Sequence, residues 1–238
     1  MKIEVLPDAE AVSRRGAEFI ARVAKDAVDE RGRFVIAVSG GSTPWQMFRF
    51  MTTLDIPWKN IHIVQVDERV VPSGHPDRNL TQLQNSLLAH APLSANQIHA
   101  MPVEEADLNA AVVHYAGMLQ QVAGSPPALD LVELGLGLDG HTASLIPNDP
   151  VLDVSCADVA VTGTYQGLRR MTLTFPIINR ARCILWVVAG SAKAEVLARL
   201  VNGDSMMPAG RINRDHAFLL ADREAANMLA EQSRSSNE

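Results

Sequence analysis

The chain has 238 residues, of which 47% are hydrophobic, and a formal net charge of -6. That is enough apolar material to bury a large core. The negative balance argues against nucleic acid or an anionic membrane as partner, since both call for a basic face, but it leaves room for a small anion where positive charge is gathered locally.

The first residues, MKIEVLPDAEAVSRR, have no apolar core behind the lysine, and the longest apolar run, at 183–190, is too short to span a bilayer. The expectation is a soluble, cytoplasmic protein with one domain over 1–238 and a frayed polar tail over 233–238. A first strand is predicted at Phe34–Val38. It runs into Ser39-Gly40-Gly41 and then a helix whose first turn holds Pro44, with Ser42 or Thr43 as cap. Further strands are predicted at 61–66, 129–134, 171–175, 184–189 and 217–221, and helices at 104–121 and 192–200. Apolar strands alternating with helices predict an α/β fold with a mostly parallel sheet covered on both faces. Cys156 and Cys183 lack metal or redox spacing, which predicts no disulfide and no zinc site.

Ligands of parallel sheets bind at the carboxyl ends of the strands, so the residues after each run are the candidates. They are Ser39, Gly40, Gly41, Ser42 and Thr43; Asp67, Glu68 and Arg69; Gly135, Gly137, Asp139, Gly140 and His141; and Gly190, Ser191 and Lys193. A glycine loop feeding a helix start presents free backbone N–H groups and a positive dipole end, which suits a phosphate. Lys193 near a helix start is poorly placed for the dipole, which favours a ligand role. His141 follows Asp-Gly in a loop too rich in glycine to serve packing, and an imidazole is a natural general base at neutral pH. Either Asp139 or Asp67 can orient it. Asp67-Glu68-Arg69 also fits a merely solvated charge cluster.

These residues, with Val71-Pro72, Asn79, the run from Gly135 through Leu145, Arg170-Met171-Thr172-Leu173-Thr174 and Gly190-Ser191-Ala192-Lys193-Ala194, resemble the 6-phosphogluconolactonase family in order along nearly the whole chain. The resemblance implies a Rossmann-like three-layer α/β/α domain and hydrolysis of 6-phosphogluconolactone, a small sugar phosphate lactone, in the pentose phosphate pathway without a cofactor. It places the catalytic histidine on His141 and phosphate binding on the Ser39 to Thr43 loop, Arg69 or Arg170, and Lys193. Two positions depart from its pattern: Leu138 stands where proline is common, and Arg78 where serine is. Arg78 either touches the ligand or is structural. The related glucosamine 6-phosphate isomerases follow their histidine motif with Asn-Glu-Pro, whereas this chain reads Ser144-Leu145-Ile146-Pro147. A sugar-phosphate sensor without catalysis needs no general base, and His141 argues against it.

Overall fold

The computed structural model describes residues 1–229, so the tail expected over 233–238 lies outside the described residues. Among the described residues the strands are, in chain order, β1 (Lys2–Leu6), β2 (Phe34–Val38), β3 (Ile61–Gln65), β4 (Asp67–Arg69), β5 (Ile98–His99), β6 (Leu131–Leu134), β7 (Val159–Val161), β8 (Arg170–Leu173), β9 (Ile184–Val188) and β10 (Ala217–Asp222). The helices are α1 (Ala9–Arg31), α2 (Ser42–Met51), α3 (Asn79–Leu83), α4 (Leu108–Ala123), α5 (Phe175–Asn179) and α6 (Ala194–Val201).

Seven strands form one parallel sheet in the order β1, β10, β9, β6, β2, β3, β5. Side chains alternate across it. Phe34, Ile36 and Val38 of β2 pack with Val12, Ile20, Met47 and Phe48 of α1 and α2, while Val35 and Ala37 join the opposite core with Tyr115, Leu119 and Leu197 of α4 and α6. The arrangement is the predicted α/β sandwich with a mostly parallel sheet. From β2 the chain moves outward to β3 and β5, then returns to lay β6 on the other side of β2. That reversal opens a crevice between the carboxyl ends of β2 and β6.

Several boundaries differ from expectation. The residues before Phe34 hold β1 and the 23-residue α1, which starts where the Asp8 carboxylate accepts the Ala11 N–H at 2.8 Å and ends at Gly32, φ +72°. The stretch 171–175, expected in the main sheet, lies in a separate antiparallel sheet of β4, β8 and β7, and Phe175 already begins α5. Asp67-Glu68-Arg69, expected only as residues following the 61–66 run, is itself the edge strand β4. The helix expected over 104–121 starts only at Leu108, because the Asp107 carboxylate caps it through Asn109 N–H.

Two carboxylates grip β2 at either end. Asp130, just before β6, accepts the Val35 N–H at 2.8 Å and the Arg31 Nε at 3.0 Å. At the other end, Glu133 Oε2 accepts both the amide (2.9 Å) and the hydroxyl (2.6 Å) of Ser39, the first residue after β2. Glu133 is fully buried, and its Oε1 has no hydrogen-bond partner. Burial pushes its pKa up to about 7; the two Ser39 bonds offset part of that and the Asp67 charge adds to it.

The folded chain therefore retains a proton that the unfolded chain has lost between about pH 4.5 and about pH 7, so this group subtracts stability as pH rises through that window. Glu133→Gln, which keeps an acceptor for Ser39, should raise the thermal midpoint by roughly 5 °C near pH 8 and by much less near pH 5. Calorimetry at both pH values checks this, and an equal difference at both contradicts a neutral buried carboxyl.

Candidate functional site

The turn after β2 is set by space. A Cβ at Gly40 would lie 2.0 Å from Asn79 Oδ1, so no larger residue fits. Asn79 in turn holds Asp67, donating from Nδ2 to its carbonyl (3.0 Å) and its Oδ1 (3.1 Å). Gly41, at φ +135°, occupies the cap position of α2, and no side chain caps the first turn. Ser42 and Thr43, expected as caps, are instead the first two helical residues. The first-turn N–H groups are left without a side-chain acceptor, as in helix ends that receive anions.

The loop after β6 folds on itself. Gly137 N–H donates to the His141 carbonyl (2.8 Å) and Gly140 N–H to the Gly137 carbonyl (3.0 Å), so these two amides are not free for a ligand. The imidazole lies directly over Gly137, where a Cβ would meet Nδ1 at 2.2 Å. Asp139 Oδ1 is 2.5 Å from His141 Nδ1 and also accepts the His141 amide at 3.2 Å, while its Oδ2 accepts the Tyr165 hydroxyl at 2.9 Å. Burial acts to raise the Asp139 pKa, but the His141 charge and these bonds outweigh it and hold the carboxyl below the usual range. Asp139, not Asp67, is therefore the imidazole's partner. Asp67 is buried and accepts the Ser144 hydroxyl at 2.6 Å.

The small sheet delivers two cations to the same place. Arg69 of β4 and Arg170 of β8 are direct cross-strand partners, an arrangement that places like charges opposite each other. Arg69 donates from Nη1 to the Asp77 carbonyl at 2.7 Å, and the Nε atoms of both arginines are buried without a hydrogen-bond partner. Desolvation lowers the Arg170 pKa, the Asp67 charge opposes that, and the Arg69 charge lowers it further. Lys193 closes a single 3-10 turn after β9 and donates from Nζ to the Leu136 carbonyl at 2.6 Å. Its pKa is lowered by burial and partly restored by Asp139.

One cavity of about 480 Å³ is lined by the eleven residues expected to catalyse or to bind phosphate, Ser39, Gly40, Gly41, Ser42, Thr43, Asp67, Arg69, Asp139, His141, Arg170 and Lys193, and by Gly135 and Gly137, whereas the strand-end candidates Glu68, Gly140, Gly190 and Ser191 do not line it. Arg78 is not among its lining residues. It is 3% exposed, donates to the Val71 carbonyl at 3.0 Å and pairs with Glu68 (3.3 Å) and Glu104 (3.4 Å), so of the two readings the structural one holds. Nor is Asp67-Glu68-Arg69 a solvated cluster, since both carboxylates are buried and Glu68 accepts the amides of Asn79 and Leu80, each at 2.8 Å. Sequence reasoning missed Tyr165 and Gln166 on the cavity wall and Glu133 beneath it. Glu133 did leave a signal, as the lone charge between apolar residues of a strand. Among the described residues no group of three or more His, Cys, Asp or Glu side chains is disposed to hold a metal ion, and no helix is long and apolar enough to cross a membrane.

Residues 7–220 match the family model for glucosamine-6-phosphate isomerases/6-phosphogluconolactonase. A 6-phosphogluconolactonase of Nostoc sp. is 38% identical over 202 residues, covering 83% of this chain and 84% of the relative. One from Mycobacterium tuberculosis is 34% identical over 241 residues, covering 95% of this chain and 98% of the relative. The solved structure of a monomeric glucosamine-6-phosphate deaminase, 21% identical, superposes with a TM-score of 0.83 over 96% of this chain and 100% of its own, which shows a shared fold. With its family match running from before α1 into β10 and relatives above 30% identity over most of its length, the chain belongs to the glucosamine-6-phosphate isomerase/6-phosphogluconolactonase family.

Proposed function

We propose that the protein is a 6-phosphogluconolactonase, one cytoplasmic domain that hydrolyses 6-phospho-D-glucono-1,5-lactone to 6-phospho-D-gluconate without a cofactor. The observation that carries this is a single cavity holding a carboxylate-oriented imidazole together with three cationic side chains and an uncapped helix start. The imidazole suits ester hydrolysis and the positive groups suit a phosphate. Relatives above 30% identity carry the lactonase name, which favours this activity over the isomerase.

The mechanism follows from these placements. The phosphate is held by the Ser39 to Thr43 loop with Arg69, Arg170 and Lys193, and its binding energy orients the distant lactone carbonyl. Asp139 keeps the Nδ1 proton of His141, leaving Nε2 to take a proton from water as the oxygen attacks C1. This attack leaves a tetrahedral oxyanion at C1. Collapse re-forms the carbonyl and breaks the ring C1–O5 bond, and the proton on His141 passes to O5. Water is consumed, the hydroxy acid is released, and the imidazole is neutral again. Ser144 is not the nucleophile in this reading, because its hydroxyl is committed to Asp67.

Against a no-enzyme control, His141→Ala should lower kcat by roughly 100-fold or more while 6-phosphogluconate binding stays within about threefold of wild type. Turnover of the lactone near the wild-type rate would remove His141 as the base. Lys193→Ala should weaken 6-phosphogluconate binding by roughly 10- to 100-fold, with a smaller change in kcat, as calorimetric titration would measure. Wild-type protein that leaves the lactone at its spontaneous rate but converts glucosamine 6-phosphate would move the assignment to the isomerase branch of the family.

A further inference from the structure

Tyr165 stands at the tip of a hairpin between β7 and β8. Its N–H donates to the Leu168 carbonyl at 2.9 Å and its carbonyl accepts the Leu168 N–H at 3.1 Å, closing a two-residue turn in which Gln166 (φ +50°) and Gly167 (φ +81°) are both left-handed. Two left-handed residues in a tight turn match the twist of a hairpin and fix where the side chain of the preceding residue leaves the backbone. The tip carries Tyr165 into the cavity wall.

The ring and the hydroxyl there serve different neighbours. The hydroxyl donates to Asp139 Oδ2 at 2.9 Å, opposite the oxygen that meets His141 Nδ1. The ring lies edge-on to the imidazole, with centroids 5.7 Å apart and planes at 68°. The Arg170 guanidinium sits over the same ring, its Cζ 5.0 Å from the centroid. Among the described residues, Asp139 accepts hydrogen bonds only from Tyr165 and from the amide and Nδ1 of His141, and Arg170 Nε is buried without a hydrogen-bond partner. One side chain thus contacts both the imidazole's carboxylate and a phosphate-side arginine.

We propose that Tyr165 is a positioning residue that couples the two halves of the site, its hydroxyl fixing Asp139 for His141 and its ring supporting Arg170. The inference rests on the reading of His141 as general base and Arg170 as phosphate ligand. Removing the hydroxyl alone takes a hydrogen bond from Asp139, leaves its charge less shared and makes His141 more basic. The charged and titratable groups around the Asp139–His141 pair are Tyr165, Arg170 and Lys193, with Asp67 and Arg69 lining the same cavity, and only the first is altered by the substitution. Removing the ring as well takes the cation–π platform from Arg170.

Steady-state hydrolysis of 6-phosphogluconolactone across pH by wild type, Tyr165→Phe, Tyr165→Leu and His141→Ala tests this, with thermal unfolding as a check on folding. Tyr165→Phe should lower kcat by roughly 5- to 20-fold at unchanged KM and move the acid limb of kcat/KM to higher pH by about half a unit. Tyr165→Leu should show the same kcat loss together with a KM raised by roughly 3- to 30-fold. Wild-type kcat and pH profile in Tyr165→Phe, or an unchanged KM in Tyr165→Leu, overturns the inference. Equal losses in both variants with no pH shift also overturn it, since a merely structural hairpin residue behaves that way. If His141→Ala retains turnover, the underlying reading fails; if His141→Ala falls to background while both tyrosine variants match wild type, only the role of Tyr165 fails.

Discussion

The adjacency of β2 and β6 is the constraint on which the site depends. Parallel neighbours that are distant in sequence are held only by their ladder and by what grips their ends, and here Asp130 and Glu133 grip β2 from the β6 side. The Glu133 grip is costly, since a fully buried carboxyl keeps one oxygen unpartnered. What it secures is the position of Ser39, from which the glycine loop and the open start of α2 follow. On the β6 side the chain continues directly into the loop that carries Asp139 and His141. The crevice at the sheet's reversal thus has a phosphate-type surface on one wall and an imidazole on the other because two strands are fixed in register.

Charge in this pocket is arranged against the protein's overall sign. A chain of net charge -6 gathers Arg69, Arg170 and Lys193 around one cavity. The two arginines arrive by a device unrelated to the main sheet, as cross-strand partners of the small antiparallel sheet. Buried carboxylates separate their roles. Glu68 is consumed as the cap of α3 and the partner of Arg78, whereas Asp67 remains on the cavity wall, tied to Asn79 and Ser144. Of the two residues that depart from the family pattern, Arg78 belongs to this supporting layer.

The parts of the molecule with local signals were legible in the sequence. The six apolar runs predict β2, β3, β6, β8, β9 and β10 to within a few residues but not β1, β4, β5 and β7, and the glycine loops and the histidine motif point to the strand ends that line the cavity. Errors arose where tertiary pairing decides. Nothing within 171–175 distinguishes a strand of the main sheet from one in a side sheet, because the distinction lies in its pairing with residues about 100 positions earlier. Gly40 is required because its backbone passes against Asn79, a contact invisible in the loop itself. Tyr165 carries only a turn signal, and its hydroxyl meets a carboxylate 26 residues away in sequence. Choosing Asp139 over Asp67 as the imidazole's partner needed coordinates for the same reason.

The facing arginines also bear on how the protein lives with and without its ligand. Arg69 and Arg170 face each other across the β4–β8 ladder, and the Asp67 and Asp139 charges offset only part of the burden on Arg170. In the proposed reading, a doubly charged phosphate between them removes their mutual repulsion in the folded state and finds no comparable site in the unfolded chain. By mass action, a ligand at about 100 times its Kd adds about 2.7 kcal/mol to folding stability. On that reading the small sheet is least stable when the phosphorylated ligand is scarce, and the folding stability of the chain follows the ligand's supply.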